Sequence, residues 1–322
     1  MSSKNILPPA ASGEFVAKHS KYVKIQEAGI ERLSLEMMSS ITDKLQIPDT
    51  GANINYLSKD DPRAVDWIFV ADTLNFCFWS NTNAEKWTVE GHSGYYALEA
   101  ALARAVKVID ISNPEYYSKI SKDQLRHIMR SDNQTQIPLF EARLDALHEV
   151  GAVLLQKYNG TFKTCLKEAN KSAVKLLEII VESFPCFRDE VTYKDQALSF
   201  YKRAQILVAD IWNFFGGQSW GEFTEIDKIT MFADYRIPQV LVYYGPSLTK
   251  EIKEHTEIEI RGCSIHAVEL LKERIESKIK QKQQKLEVPN SSLIDYYLWC
   301  YRRKYADELE KIPFHKTLGI FY

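Results

Sequence analysis

The sequence predicts a mainly α-helical protein with a few short β-strands, arranged as one domain over residues 14–322 behind a loose arm at residues 1–13. Three observations lead there. Apolar residues recur at helical spacing in several long stretches, most clearly at residues 139–158. Two-residue alternation is confined to short runs. No internal repeat, low-complexity block or linker-like composition marks a boundary within the 322 residues.

Residues 1–13 are small and polar, which suits an arm, and residues 14–45 carry apolar side chains spaced for one or two helices. A Pro, Gly and Asn cluster at residues 48–55 breaks that pattern. Residues 66–79, DWIFVADTLNFCFW, are rich in aromatic and β-branched side chains and read as a buried strand or core helix. They also enclose Asp72, Thr73 and Asn75. Buried polar groups cost energy unless something bonds them, so Asp72 and Asn75 among Phe69, Phe76, Phe78 and Trp79 suit a pocket for a flat, polar ring. Residues 86–106 open with a short strand and a Gly91-His92-Ser93-Gly94 turn, then become an Ala-rich helix from Tyr95. That places His92, Tyr95 and Tyr96 at a helix start, where a locally bonded turn residue is the plainer reading of His92.

Residues 139–158 put Phe140, Leu144, Leu147, Leu154 and Tyr158 on one face, and a second helix is expected over residues 161–184. Both read as architecture. Residues 195–215 read as one long helix closed by Gly216-Gly217, with a core stripe of Ala197, Tyr201, Ala204, Val208, Ile211 and Phe215. Lys202, Arg203, Gln205 and Asp210 interrupt it. Lys202 lies beside the stripe and could turn inward toward an anion, although a solvated face is the commoner reason for such charges. Residues 256–264, TEIEIRGCS, alternate like a short strand ahead of a helix from Ser264 to a Lys/Gln-rich end near Lys285. Residues 291–309 form another expected helix, with Asp295, Tyr296, Tyr297, Trp299 and Arg302. The closing KIPFHKTLGIFY is too aromatic for a free tail and should pack back on the body, bringing His315 and Lys316 with it.

One segment, residues 229–241, ITMFADYRIPQVL, sets an acid in a break between two apolar stretches. Pro238 suits the first turn of a helix and not its interior, so a helix is expected from about Pro238 to residues 244–245. Asp234 then precedes a helix N-terminus, whose unpaired N–H groups favour an anion by ~0.3–1 kcal/mol even if Phe232 and Tyr235 partly bury it. The plain alternative is that Asp234 only caps the helix.

Composition excludes more than it assigns. Lys+Arg 41 against Asp+Glu 43 gives a net charge of -2, without the global positive field of non-specific nucleic-acid binding. The five cysteines are widely spaced with no CxxC, which argues against a disulfide framework or a zinc site. Without a signal-like apolar core or 18 consecutive apolar residues, the expectation is a soluble protein of a reducing compartment, the cytosol first. No P-loop, GxGxxG, HExxH or GxSxG occurs, and the seven histidines form no metal cluster by spacing. A carboxylate at a helix start, aromatic clusters holding Asp and Asn, and separate basic side chains remain. Together they suggest a base-binding pocket. Cleaving an N-glycosidic bond builds positive charge on the sugar, which a fixed carboxylate stabilises.

Long stretches of the chain resemble the queuosine salvage family, whose members are queuosine 5'-monophosphate N-glycosylases. They are ADTLNFCFW, MRSDNQTQIPLFEARLDALHEVG, KRAQILVADIW, TMFADYRIPQVL, EIRGCS and YLWCYRRKYADELEKIPFHKTLGIFY. The resemblance runs from about Phe15 to Tyr322 and departs mainly in the N-terminal arm and at residues 216–222. It implies a fold related to the helix-hairpin-helix DNA glycosylases and release of queuine for transfer RNA modification. It also implies no metal or other cofactor, a monomer acting on a small molecule without direct nucleic-acid or membrane partners, and a cytoplasmic or nuclear location.

In that light Asp234 looks like the catalytic carboxylate of the family's DYR-P-Q motif. Queuine is a 7-deazapurine and lacks the N7 that ordinary purine glycosylases protonate, so the reaction leans on stabilising the sugar cation. Asp72 and Asn75 would read the polar edge of the base, with Phe76, Trp79 and Tyr235 as walls. Lys202, Arg203, His315 and Lys316 are candidates for the 5'-phosphate, and His92, Tyr95, Asp295 and Trp299 for the pocket lining. Two other readings compete: a carrier that binds queuine without breaking a bond, and a nucleic-acid glycosylase acting on a flipped base.

Overall fold

Helices dominate the computed structural model, which describes residues 6–41, 44–47, 57–79, 85–244 and 256–322. Among these residues the only sheets are two antiparallel strand pairs, Thr88–Val89 with His92–Ser93 and Glu190–Tyr193 with Gln196–Ser199. The predicted mainly α class with a few short strands is observed. The chain divides into two compact units interleaved in sequence, where the composition suggested one. The first comprises Met1–Gly51, Asp189–Lys202 and Ile229–Thr317, the second Ala52–Arg188, Arg203–Lys228 and Leu318–Tyr322. Residues 1–5 of the expected arm, the whole of the breaker at 48–55 and Gly245 lie outside the described residues.

The first unit is built on the helix Thr256–Gln281, against which the helices Pro9–His19, Glu27–Ser40, Ile237–Tyr244 and Ser291–Lys304 pack. The expected strand at 256–264 is therefore a helix. Its apparent alternation arises because Ile258 to Ile265 are all buried, with Glu259 and Arg261 taken inside by polar partners rather than turned to water. Glu259 accepts from the backbone N–H groups of Lys21 (3.0 Å), Tyr22 (2.7 Å) and Val23 (3.1 Å) and from the Tyr193 hydroxyl (2.8 Å). Burial pushes its carboxyl up, but these donors hold it below its usual range. The helix Pro9–His19 takes in residues 9–13 of the stretch read as a loose arm, because Ser12 and Gly13 are buried against neighbouring elements. A Cβ on Gly262 would stand 2.4 Å from the Val16 Cβ, so only glycine lets these two helices approach.

The hairpin Glu190–Tyr193/Gln196–Ser199 corrects the expected helix start at 195. Lys194 and Asp195 both have positive φ, 49° and 64°, the two-residue turn that matches strand twist, so the helix begins only at Lys202 and runs to Phe214. Gly216 and Gly217, at φ 64° and 69°, close it as expected.

In the second unit the helix Ala64–Thr73 is buried along almost its whole length and packs on the helices Phe140–Lys157 and Tyr95–Val106. Phe69 stacks on Phe162 at 4.5 Å and meets Phe184 at 5.1 Å. The single helix expected over 161–184 is two, Lys163–Ala169 and Ala173–Ser183. Asn170 and Lys171 adopt positive φ between them, and the Ser172 side chain accepts from the Lys175 N–H to start the second.

Gly262→Ala should lower the unfolding free energy by ~1–3 kcal/mol, as expected of an overpacked contact, and Val16→Gly, which removes the Cβ it would meet, should cost less in the Gly262→Ala background than in the native one. Urea denaturation of the three variants checks this; simple additivity would show that the two helices are not in forced contact there.

Candidate active site

Residues 229–236 have no long regular element, and the burial of Met231, Ala233 and Tyr235 sets the Asp234 side chain at the entry of the helix Ile237–Tyr244. Asp234 Oδ1 accepts hydrogen bonds from the backbone N–H groups of Arg236 and Ile237, both at 2.9 Å. This is a helix cap. It engages one carboxylate oxygen; Oδ2 takes no part in it. Burial pushes the Asp234 carboxyl above its usual range, while the Lys202 cation and the two N–H groups pull it back.

The segment is fastened on both sides. Asp295, on the helix Ser291–Lys304, accepts from Phe232 N–H at 2.9 Å, and Arg261 Nε donates to the Ala233 carbonyl at 2.8 Å. Tyr235 stacks obliquely on Phe314 at 5.2 Å and meets the edge of the His315 ring at 6.4 Å. His315 is buried beside Arg261 and bonded to the Asp234 backbone; burial, reinforced by the Arg261 charge, pushes its pKa down to about 3. It is a neutral imidazole at physiological pH.

Lys202 reaches this corner by way of the hairpin. Tyr201, before it, has φ 47°, a left-handed conformation costly for a side chain of that size. Asp189 holds the turn. Its carbonyl accepts from Phe200 N–H at 3.0 Å and Tyr201 N–H at 3.4 Å, and its Oδ2 accepts from Lys202 N–H at 3.1 Å. Arg261 closes the arrangement, with Nη1 3.0 Å from Asp189 Oδ1, Nη2 2.5 Å from Oδ2, and its guanidinium 4.4 Å from the Phe200 ring centre.

Of the residues singled out from sequence, the first unit therefore brings together Asp234, Tyr235, Lys202, His315 and, through Phe232, Asp295. Trp299 is half-buried there, 6.2 Å from Tyr296 with Arg303 over its ring, and Lys316 is exposed. The others belong to the second unit. Asp72 and Asn75 are buried, with Asn75 Nδ2 donating to Asp72 Oδ1 at 3.4 Å. Phe76 is fully enclosed, the guanidinium carbons of Arg143 and Arg203 lying 4.3 and 4.8 Å from its ring centre. Arg203 donates to the carbonyls of Thr73 (2.5 Å) and Cys186, so it lies in the body of its unit rather than on a surface open to phosphate. Trp79 is buried, and His92 and Tyr95 are half-buried around Tyr96 at the start of Tyr95–Val106. Sequence reasoning passed over Asp189 and Arg261, although Arg261 stands in the EIRGCS stretch.

Other chemistries find little footing. All five cysteines are buried free thiols, and burial pushes Cys263 and Cys300 to about 11 and Cys186 to about 12, far from reactive thiolates. Among the described residues no group of three or more His, Cys, Asp or Glu is placed to hold a metal. No helix among them is long and apolar enough to cross a membrane. A half-buried carboxylate with one oxygen tied to a helix start and a lysine cation nearby is equipped to stabilise a developing positive charge and to hold a water.

Comparison with known proteins gives one consistent result. A family model described as queuosine salvage protein matches residues 54–322. A Bos taurus protein named queuosine 5'-phosphate N-glycosylase/hydrolase is 42% identical over 98% of this chain and 99% of its own length. Proteins of the same name from Nematostella vectensis and Schizosaccharomyces pombe are 40% and 34% identical, over 99% and 96% of this chain and 100% and 98% of theirs.

The cap and any chemistry at Asp234 separate by substitution. Asp234→Ala should lose ~0.5–2 kcal/mol of stability, whereas Asp234→Asn, an equally good N-cap, should keep most of it. Equilibrium unfolding of the two variants decides; equal losses would show that the cap geometry contributes nothing.

Proposed function

The chain belongs to the queuosine salvage protein family, and from that premise we propose that it hydrolyses the N-glycosidic bond of queuosine 5'-monophosphate, with Asp234 as the catalytic carboxylate. The bond from the anomeric carbon to the base nitrogen breaks and its electron pair leaves with the base, which takes up a proton. The oxygen of water forms the new bond to the same carbon. The products are queuine and ribose 5-phosphate.

The observation that carries this reading is the division of labour within Asp234. Because Oδ1 is held by two N–H groups, the carboxylate plane is fixed before substrate arrives. Oδ2 can then face the anomeric carbon as positive charge develops there, and orient water afterwards. Lys202 favours the ionised acid, and a cation in that corner also suits the 5'-phosphate, with Lys316 as a further candidate cation and the neutral His315 as a candidate hydrogen-bond partner. Tyr235, Asp295, Trp299, His92 and Tyr95 are proposed to line the site, and Asp72, Asn75 and Trp79 to meet the base. Arg203 and Phe76 are proposed to act indirectly, by shaping the 72–77 segment.

We assign the activity to residues 14–322 as a whole and expect the helical architecture to be related to the helix-hairpin-helix DNA glycosylases. A net charge of -2 fits work on a small nucleotide rather than direct nucleic-acid binding; we propose a monomer in the cytoplasm or nucleus, without metal or other cofactor and without membrane partners.

Chromatographic assay of base release should show queuine and ribose 5-phosphate from the native protein and a loss of at least ~100-fold in kcat for Asp234→Asn, the scale of losing one electrostatic partner of a transition state. A folded native protein that binds queuine without releasing it would overturn the proposal in favour of a carrier. The reaction needs the ionised acid, and burial raises the carboxyl, so kcat/KM should fall with decreasing pH at values above the ordinary ~4 for a carboxyl. A pH–rate profile flat down to that value would show that Asp234 does not titrate in the active form.

A further inference from the structure

We infer that Asp189 and Arg261 form a positioning pair that fixes Lys202 and Asp234 relative to each other, an inference that rests on the role proposed above for Asp234. The pair binds backbone rather than the reacting side chains. At one end Asp189 Oδ2 accepts the N–H of Lys202 at 3.1 Å. At the other, Arg261 Nε donates at 2.8 Å to the carbonyl of Ala233, the residue before Asp234. Between them run two guanidinium–carboxylate bonds, 3.0 and 2.5 Å long. A route of a few hydrogen bonds thus joins a hairpin end to a helix entry that are far apart in sequence.

Burial and geometry favour positioning over stability alone. The side chains are 3% and 4% exposed, and a pair so desolvated gains little net stability over apolar packing. A planar guanidinium with three directed donors to Asp189 and Ala233 fixes orientation in a way an ammonium does not. The same guanidinium donates to Glu257 at 3.4 Å, so Arg261 stays anchored to its own helix while it reaches across. Asp189 also accepts the N–H groups of Phe200 and Tyr201 through its carbonyl, and so holds the left-handed residue that aims Lys202.

The test is steady-state kinetics of base release for Asp189→Asn, Arg261→Gln, Arg261→Lys and the Asp189→Asn/Arg261→Gln double variant, with Asp234→Asn alongside. For variants with a cooperative unfolding transition, kcat should fall ~10–100-fold, the cost of a small misplacement of reacting groups. KM should stay within about threefold, and the double variant should be no worse than the poorer single, because the two act as a unit. Arg261→Lys retains a cation for Asp189 but has no donor in place of Nε, so it should share the loss in kcat even if Arg261→Gln fails to fold. Native kcat in folded variants, a rise in KM at unchanged kcat, losses that multiply in the double variant, or collapse of the fold in all four would each overturn the inference. An active Asp234→Asn would instead remove the proposed role of Asp234 itself; an inactive one beside fully active pair variants would remove only the positioning role.

Discussion

A buried guanidinium has to be satisfied in full, and that requirement at Arg261 governs the first unit. Left unpaired, such a charge is destabilising by several kcal/mol. Its partners include Glu257, one turn back on its own helix, and Asp189 and the Ala233 carbonyl on two other stretches of chain, and meeting the requirement sets where those two stretches lie. The entry to the helix Ile237–Tyr244 and the end of the hairpin are located by one side chain. The placing of the candidate site at Asp234 is in this sense tied to how one charge is kept inside.

The second unit uses the same device for another end. After the helix Ala64–Thr73 the backbone runs irregularly through Phe76 and Cys77, leaving carbonyls with no helical or strand partner. Arg143 donates to those of Leu74, Phe76 and Cys77, and Arg203 to that of Thr73. Backbone groups that secondary structure would otherwise pair are paired by fixed cations, and Phe76 fills the space between them. The segment can therefore be irregular in conformation while each of these carbonyls is occupied.

Much of this architecture was legible in the sequence because one-sided burial writes a period into it. Phe140–Lys157, Tyr95–Val106 and Ile237–Tyr244 lie within a residue or two of their expected bounds. The reading failed where burial is not one-sided or where a turn is set by backbone sign. Residues 258–265 are enclosed on every face, which hid the helical period, and the Lys194-Asp195 and Asn170-Lys171 turns use positive φ without a glycine to announce it. At the candidate site, Asp234 was visible because Pro238 fixes a helix start just beyond it, and Lys202 because it interrupts an apolar stripe. Asp189 and Arg261 were not, since two opposite charges far apart in sequence look like surface until tertiary structure pairs them. Arg203 and Phe76 have partners that composition does not reveal: main-chain carbonyls for the guanidinium, and aromatic–guanidinium contacts for both.

The interleaving of the two units also bears on how the chain is made. The helix Pro9–His19 is made well before the helix it packs on: Val16 lies against Gly262, and Gly13 against Ile265. At ~5–20 residues per second, synthesis leaves that apolar face waiting on the order of ten to fifty seconds for its partner. The close glycine approach that gives the finished unit its tightest seam thus leaves the earlier helix without that partner for the whole of the interval.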